Sequence, residues 1–370
     1  MTEHEERVKK AGRLMEEAGI DALLLSKPAN MFYLTGDGRL CAYAILTRDG
    51  RVALGVPSTD VADVSERARF DKIAGFEDEV GMLHSIAHFF QEFGLQNARV
   101  GLEHTFLTMS MHAMFTHPHA IPPTATTVDA TRLLSELRML KSPAEVELIR
   151  GAAKAAEAAM GAATKAAQPG VSEIEVAGEA ERAMRKAGAE DFFRTYVASG
   201  PRTNIAHGLP SYRRIAEGDL VMTDLHPVYH GYSADMCRTF CVGKPSAAQQ
   251  DAYDLFLSAQ QNTVKKVRAG VTMQELEAAM HEPLKAAGHG EHIFGPPIHG
   301  VGIEFEEAPL PSGHAFFHGE AEAVPLRAGT VLSIGTCGLY TGPFGVRVED
   351  TVLVTAKGCT LLTTFARSLT

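Results

Sequence analysis

The segment "GVSEIEVAGEAERAMRKAG" begins at residue 170 and "GVTMQELEAAMHEPLKAAG" at residue 270. Both open Gly-Val-Ser/Thr, carry a glutamate three residues after the hydroxyl residue, and close on Ala-Gly. Ser172/Glu175 and Thr272/Glu275 are therefore capping boxes, each satisfying two orphan N–H groups at a helix start. The same signature stands at Ser142/Glu145, with Pro143 at the first helical position, and at Ser246/Gln249. A repeat of this kind requires the chain beyond residue 140 to fold as two related α/β halves.

The strands repeat as well. "EGDLVMTDLHPVYHGYSADMCRT" (217–239) aligns with "AGTVLSIGTCGLYTGPFGVRVEDT" (328–351) when Gly218 is set on Gly329. Asp224 then falls on Gly335 and, past a longer turn, Asp235 falls on Glu349. Each half reads strand, turn, strand, with acids at the inner ends. Gly335 breaks the pattern: a bare glycine ends an apolar strand, where entropy and the missing side chain both disfavour it.

Ahead of the repeat, helical spacing covers residues 5–18 and "DALLLS" (21–26) reads as a buried strand. "YAILTRDGRVALGV" is a hairpin across Asp49-Gly50. Strands and helices then alternate to "ARVGLEH" (98–104), which predicts a small α/β domain. The expected division is 1–140 and 141–370.

Composition excludes several functions. With 370 residues, 45% apolar and 22% charged, the chain is ordinary globular protein. Its net charge of −10 comes without a Lys/Arg stripe, so no nucleic-acid partner is expected. No apolar run approaches the roughly 18 residues that cross a bilayer, and the charged start "MTEHEERVKK" lacks the apolar core of a secretory signal. Five cysteines without a CxxC pair suit a reducing compartment. A soluble, cytoplasmic protein is expected.

The chemistry lies in the repeat. Asp224 and Asp235 flank a Gly-Tyr turn, so adjacent strands bring both to one spot, with Glu349 as the acid of the other half. His299, in "PPIHGVGIEFEEAP", has glycine beside it, which lets backbone approach closely. Carboxylates with an imidazole suit a divalent ion such as Mn²⁺, Zn²⁺, Co²⁺ or Fe²⁺, which acidifies water near neutral pH. Taken singly, these residues have plainer readings: a capping Asp, a packed core His, a glycine bulge. Acids at equivalent positions of two halves outweigh those readings.

The motifs "NIAHG" (204–208), "GDLVMTDLHPVYHGYSADMCRTF" (218–240), "IHGVGIEFEEAP" (298–309) and "GVRVED" (345–350) resemble the creatinase/prolidase/aminopeptidase P family over essentially the whole chain. The resemblance implies an α+β pita-bread catalytic domain with an internal pseudo-twofold, behind a smaller α/β creatinase-type domain. It implies a homodimer acting on a dipeptide or small molecule, and metal ligation by Asp224, Asp235, His299 and Glu349. His207 matches the histidine that contacts substrate near the scissile bond. Arg347 matches a family arginine near the site, suited to a substrate carboxylate or to orienting Asp235 or Glu349. Arg39 lies in a loop of the kind that reaches the site in this family.

Three departures qualify the resemblance. The family's fourth ligand, a Glu that also takes a proton from water, falls on Gly335. A conserved-type His falls on Glu306, giving Glu306-Glu307. The usual DxG reads Asp224-Leu225-His226. Because i and i+2 share a strand face, His226 is expected to fill the space of the missing Glu, as a metal ligand or as a base. Fewer than the usual two ions are expected, down to none. The leading reading is a metal-activated hydrolase of Xaa-Pro-like bonds. The alternative is a creatinase-like enzyme acting on a small guanidino or modified amino acid, using His207 and Glu306 as acid and base with Glu307 in an acidic pocket. A silent binding module ranks last.

Overall fold

The structure is a computed structural model describing residues 2–310 and 325–370. The sequence segment 313–325, expected as an extra loop with His314 and His318, lies outside the described residues except for Pro325. The chain divides into two compact units, with the break between Arg138 and Met139.

The first unit opens with α1 (Glu3–Ala18), β1 (Ala22–Leu25) and α2 (Pro28–Thr35). The hairpin follows as β2 (Tyr43–Thr47) and β3 (Val52–Pro57), then α3 (Val61–Arg67), β4 (Lys72–Phe76) and α4 (Glu79–Glu92). It closes with β5 (Arg99–Leu102), α5 (Met109–Phe115), β6 (Thr126–Asp129) and α6 (Thr131–Met139). One six-stranded mixed sheet runs β4-β3-β2-β1-β5-β6. Ile86, Phe89 and Phe90 of α4 pack on Tyr43, Ile45, Val100 and Leu102 of the sheet. Gly50 takes φ +94°, as a tight hairpin over Asp49-Gly50 requires.

The second unit shows its duplication element by element. The first half comprises α7 (Pro143–Ala166), α8 (Glu173–Lys186), β7 (Asp191–Ser199), β8 (Leu220–Tyr229), β9 (Tyr232–Ser233) and β10 (Met236–Cys241). The second comprises α9 (Ala247–Lys266), α10 (Met273–Ala286), β11 (Ile293–Phe294), β12 (Ile298–Gly300) and β13 (Val331–Ile334). It continues through β14 (Gly338–Tyr340), β15 (Gly345–Val346), β16 (Asp350–Val354) and β17 (Cys359–Leu361). All four capping boxes form, with each hydroxyl accepting from the backbone N–H three residues on. The Ala-rich face of α7 lets α8 and the sheet come close: Ala155, Ala156, Ala159 and Met160 share one core with Val176, Met184, Val221, Leu225 and Met236.

Strands β10-β8-β7 form one sheet, with β9 paired to β8, β12-β13-β16-β17 form a second and β11-β14-β15 a third. Where β10 and the start of β16 meet, the pairing is nearly symmetric. The Glu349 N–H donates to the Cys237 carbonyl (3.0 Å), and the Asp235 N–H donates to Thr351 Oγ1 (3.0 Å). Asp235 and Glu349 each directly precede their return strand and so face each other across the join.

A separate device holds the loop that bears His207. Glu173, at the start of α8, is fully buried and accepts from the Ser199 N–H (2.7 Å) and Oγ (2.8 Å), the Ser211 N–H (3.0 Å) and Oγ (2.6 Å), and Arg202 Nε (3.0 Å). One carboxylate thus closes the 199–211 excursion at both ends. Glu173→Ala is expected to cost about 3 kcal/mol in a denaturant melt, from loss of charge-assisted hydrogen bonds, and to raise protease cleavage within residues 200–211.

Candidate metal centre

Strand β8 carries Asp224 and His226 on one face, because alternate residues share a side. Asp235, His299 and Glu349 come from the turn before β10, from β12 and from the turn before β16. The five are buried, with His226 at 3% exposure and Asp235 at 1%. Asp235 stands between the imidazoles: its Oδ1 lies 3.4 Å from His226 Nε2 and its Oδ2 lies 3.4 Å from His299 Nε2. Asp224 Oδ1 is 3.6 Å from His226 Nε2, and Glu349 Oε1 is 4.0 Å from His299 Nε2.

Both rings are fixed from behind. His226 Nδ1 faces the Arg194 carbonyl at 3.0 Å and His299 Nδ1 faces the Gly300 carbonyl at 3.0 Å. A carbonyl only accepts, so each Nδ1 carries a proton and, in the neutral ring, Nε2 presents a lone pair to Asp235. Arg347 ties the outer acids together. Its Nη2 donates to Asp224 Oδ2 and to Glu349 Oε2 (2.7 Å), and its Nε to Glu349 Oε2 (3.0 Å). Ser333 Oγ donates to Glu349 Oε1 (2.7 Å).

The electrostatics favour a cation. Of three buried carboxylates, Asp224 and Glu349 share Arg347, and Asp235 has no arginine partner in the cluster. Burial first, then the neighbouring Glu349, push the Asp235 carboxyl up to about 7. Burial opposes charge on His299, but Asp235 and Glu349 outweigh it and raise that ring to about 9. Burial likewise raises Glu349, and Arg347 overcomes it and holds the carboxyl low. Asp224 Oδ1 and Asp235 Oδ1 are buried without a hydrogen-bond partner. Buried carboxylate oxygens without a partner, beside imidazole nitrogen, are donors that a divalent ion takes. Among the described residues, two groups have one donor atom per residue within 4.8 Å of one another, Asp224/His226/Asp235 and Asp235/His299/Glu349, and the orphaned oxygens belong to the first.

Around this centre, Tyr196 packs on the exposed His207 ring, 5.4 Å between centroids. Burial, then Arg347, hold the His207 pKa below its ordinary value, so the ring is neutral at pH 7. Phe305 stacks on Phe193 at 4.2 Å, and both stand edge-on to His226. This aromatic wall escaped the sequence reading, although "EDFFRTY" and "IEFEE" bear its residues.

An α/β unit followed by a duplicated domain with buried acids and imidazoles at the join defines a metal-dependent peptidase. Residues 147–356 match metallopeptidase family M24 and residues 7–140 match the creatinase/prolidase N-terminal domain. The chain belongs to this creatinase/prolidase/aminopeptidase P family, whose use of divalent metal it shares. It is 32% identical over 368 residues to an Xaa-Pro dipeptidase of Pyrococcus furiosus, covering 98% of this chain and 99% of the relative. The solved prolidase of Pyrococcus horikoshii OT3 superposes with a TM-score of 0.86 at 30% identity, over 99% of this chain and 100% of that one. An Xaa-Pro dipeptidase from Bacillus anthracis gives 0.87 at 30% identity, over 99% of each.

The structure gives several of the expected site residues partners within the protein. Arg347 is buried and paired with Asp224 and Glu349, which favours the second of its two expected roles, orienting acids, over binding a substrate carboxylate. Glu307 is not open to a substrate cation: its Oε1 pairs with the buried Lys141 Nζ at 2.9 Å. Arg39 pairs with Asp37 (2.8 Å), Asp60 (3.0 Å) and Asp63 (2.7 Å) within the first unit. Glu306 is partly buried, and its charge acts on His299. Cys337 and Arg238 are packed structurally: burial raises the thiol to about 12, and Arg238 holds Asp350 at 2.7 Å.

Gly335 carries no acid, but it is not an open gap. Its φ is +103° and a Cβ there would stand 2.0 Å from the Val348 carbonyl oxygen. The strand register explains the misreading. Asp224 pairs with Cys237, whereas Thr351, the counterpart of Cys237, pairs with Ser333. Ser333, two residues earlier on the same face, stands where alignment of the halves had set Gly335. Gly335→Glu is expected to lower the melting temperature and not to add a ligand, since the backbone conformation alone costs about 1–3 kcal/mol. Arg347→Met is expected to weaken metal binding about 10–100-fold, read by equilibrium dialysis.

Proposed function

We propose that the chain is a prolidase-type hydrolase that cleaves the C–N bond of Xaa-Pro-like dipeptides, with divalent metal held by Asp224, Asp235, His299 and Glu349. The observation that carries this reading is the Asp235 carboxylate, buried between the Nε2 atoms of two imidazoles with an orphaned oxygen. The similarity to proteins named Xaa-Pro dipeptidase supplies the substrate class.

A divalent ion in such a donor set supplies Lewis acidity, which polarises a scissile carbonyl and acidifies water. The protein's own residues do the rest. Arg347 holds Asp224 and Glu349 as anions in fixed rotamers, and the Arg194 and Gly300 carbonyls fix the ring orientations. Neutral His207, at the exposed edge, is placed to donate a hydrogen bond to the developing oxyanion or to carry a proton to the departing amine. No acid stands at Gly335 to serve as the base, so a slower prolidase than its relatives is expected.

The test is hydrolysis of a panel of Xaa-Pro dipeptides by chelated protein after addition of Mn²⁺ or Co²⁺. Activity should return with metal, and Asp235→Asn should lower it at least about 100-fold. Failure with every Xaa-Pro dipeptide, together with metal-free turnover of a guanidino amino acid, would replace this reading with the creatinase-like one. Pairing of Glu307 with Lys141 already removes half of the acidic pocket that alternative required.

A further inference from the structure

We infer that His226 is a fifth metal ligand and that it creates a second ion position, with Asp235 as the shared carboxylate. The inference rests on the metallohydrolase reading above and deepens it, since the three acids and one imidazole named there do not include His226. Asp235 offers a different oxygen to each imidazole, at 3.4 Å in both cases. Its two oxygens therefore belong to two donor groups, and each group consists of two carboxylates and one imidazole. Three protein ligands per ion with remaining positions open is the arrangement of a catalytic centre.

Three further observations favour ligation over a role as base. His226 Nε2 lies 3.6 Å from Asp224 Oδ1 and 3.4 Å from Asp235 Oδ1, two buried carboxylate oxygens that have no hydrogen-bond partner. The Nδ1 proton is committed to the Arg194 carbonyl, the outer bond that sets the tautomer of metal-bound histidines. The ring is closed off from solvent by Phe193, Tyr196 and Phe305, whose centroids lie 6.1, 5.8 and 5.0 Å away. A base must reach water or substrate, and this nitrogen meets only ligands. His226 thus supplies a neutral donor in a centre where no glutamate stands at 335. Its ion position carries less negative charge than a carboxylate in that place would give.

The test measures metal and not turnover. Apoprotein is dialysed against Co²⁺, ions per chain are counted by elemental analysis, and the visible Co²⁺ spectrum is recorded. Wild type should hold two ions. His226→Phe keeps a flat ring among the three aromatics, and His226→Gln keeps a polar group; a thermal melt verifies that each is folded. Both variants should hold one ion, with affinity for the second reduced at least tenfold and its nitrogen-ligand absorption lost. Folded variants that retain two ions with an unchanged spectrum would overturn the assignment, as would a wild type holding one ion that neither variant disturbs. A wild type that binds no Co²⁺ would overturn both this inference and the metallohydrolase reading. Two ions falling to one, with no Xaa-Pro hydrolysis, would leave the ligand assignment standing and remove only the proposed substrate.

Discussion

Three carboxylates, Asp224, Asp235 and Glu349, are buried within reach of one another, and a single guanidinium, Arg347, pairs with two of them. Like charges at such spacing repel strongly where water is excluded. The architecture of the second unit manages that repulsion. Arg347 neutralises the outer faces of Asp224 and Glu349, Ser333 donates to Glu349, and two imidazoles bracket Asp235. What these groups leave uncompensated is the inner side, where one oxygen each of Asp224 and Asp235 lacks a partner. A fold dedicated to stability alone would not retain such atoms. Their arrangement is intelligible as the resting side of a cation site.

Duplication supplies the geometry. Each half ends its first long strand near the molecular join and begins its return strand with an acid. The join is stitched by backbone and hydroxyl bonds of the residues two positions further on, Cys237 and Thr351. The acids are therefore positioned by sheet register, the least deformable element available. By contrast, His207 sits on a loop, and that loop is pinned by one buried glutamate, Glu173. The acids proposed as metal donors are thus placed by strands, and His207, proposed to handle protons, by a loop.

The departures from the prolidase pattern also have a physical logic. Position 335 is a left-handed glycine whose side-chain direction is filled by the Val348 carbonyl, so the chain turns there without presenting a ligand. His226 enters on the opposite strand, beside the same shared aspartate. Its surroundings, a carbonyl behind and three aromatic rings around, hold one orientation of the imidazole. The aromatic wall of Phe193 and Phe305 adds an apolar flank to a centre that is otherwise charged.

Much of this was legible without coordinates. The capping boxes at Ser142, Ser172, Ser246 and Thr272 are local signals, determined within four residues, and all form. The Asp49-Gly50 hairpin is equally local. The duplication, the gathering of Asp224, Asp235, His299 and Glu349 and the place of His226 on the Asp224 side agree with the spacing and strand alternation. Pairings between distant segments were not legible. Nothing in "EEAP" indicates that Glu307 meets Lys141, and nothing near Arg347 distinguishes a substrate-binding arginine from one buried between two acids. Register was also beyond the sequence: the alignment of the halves set Asp224 on Gly335, while cross-strand pairing set Ser333 there. The sequence alone determined which residue types gather and in which elements, because periodicity and capping are short-range. Only the tertiary structure decided which partner each buried charge takes, because burial makes an unpaired charge costly and the available partners are brought together by folding.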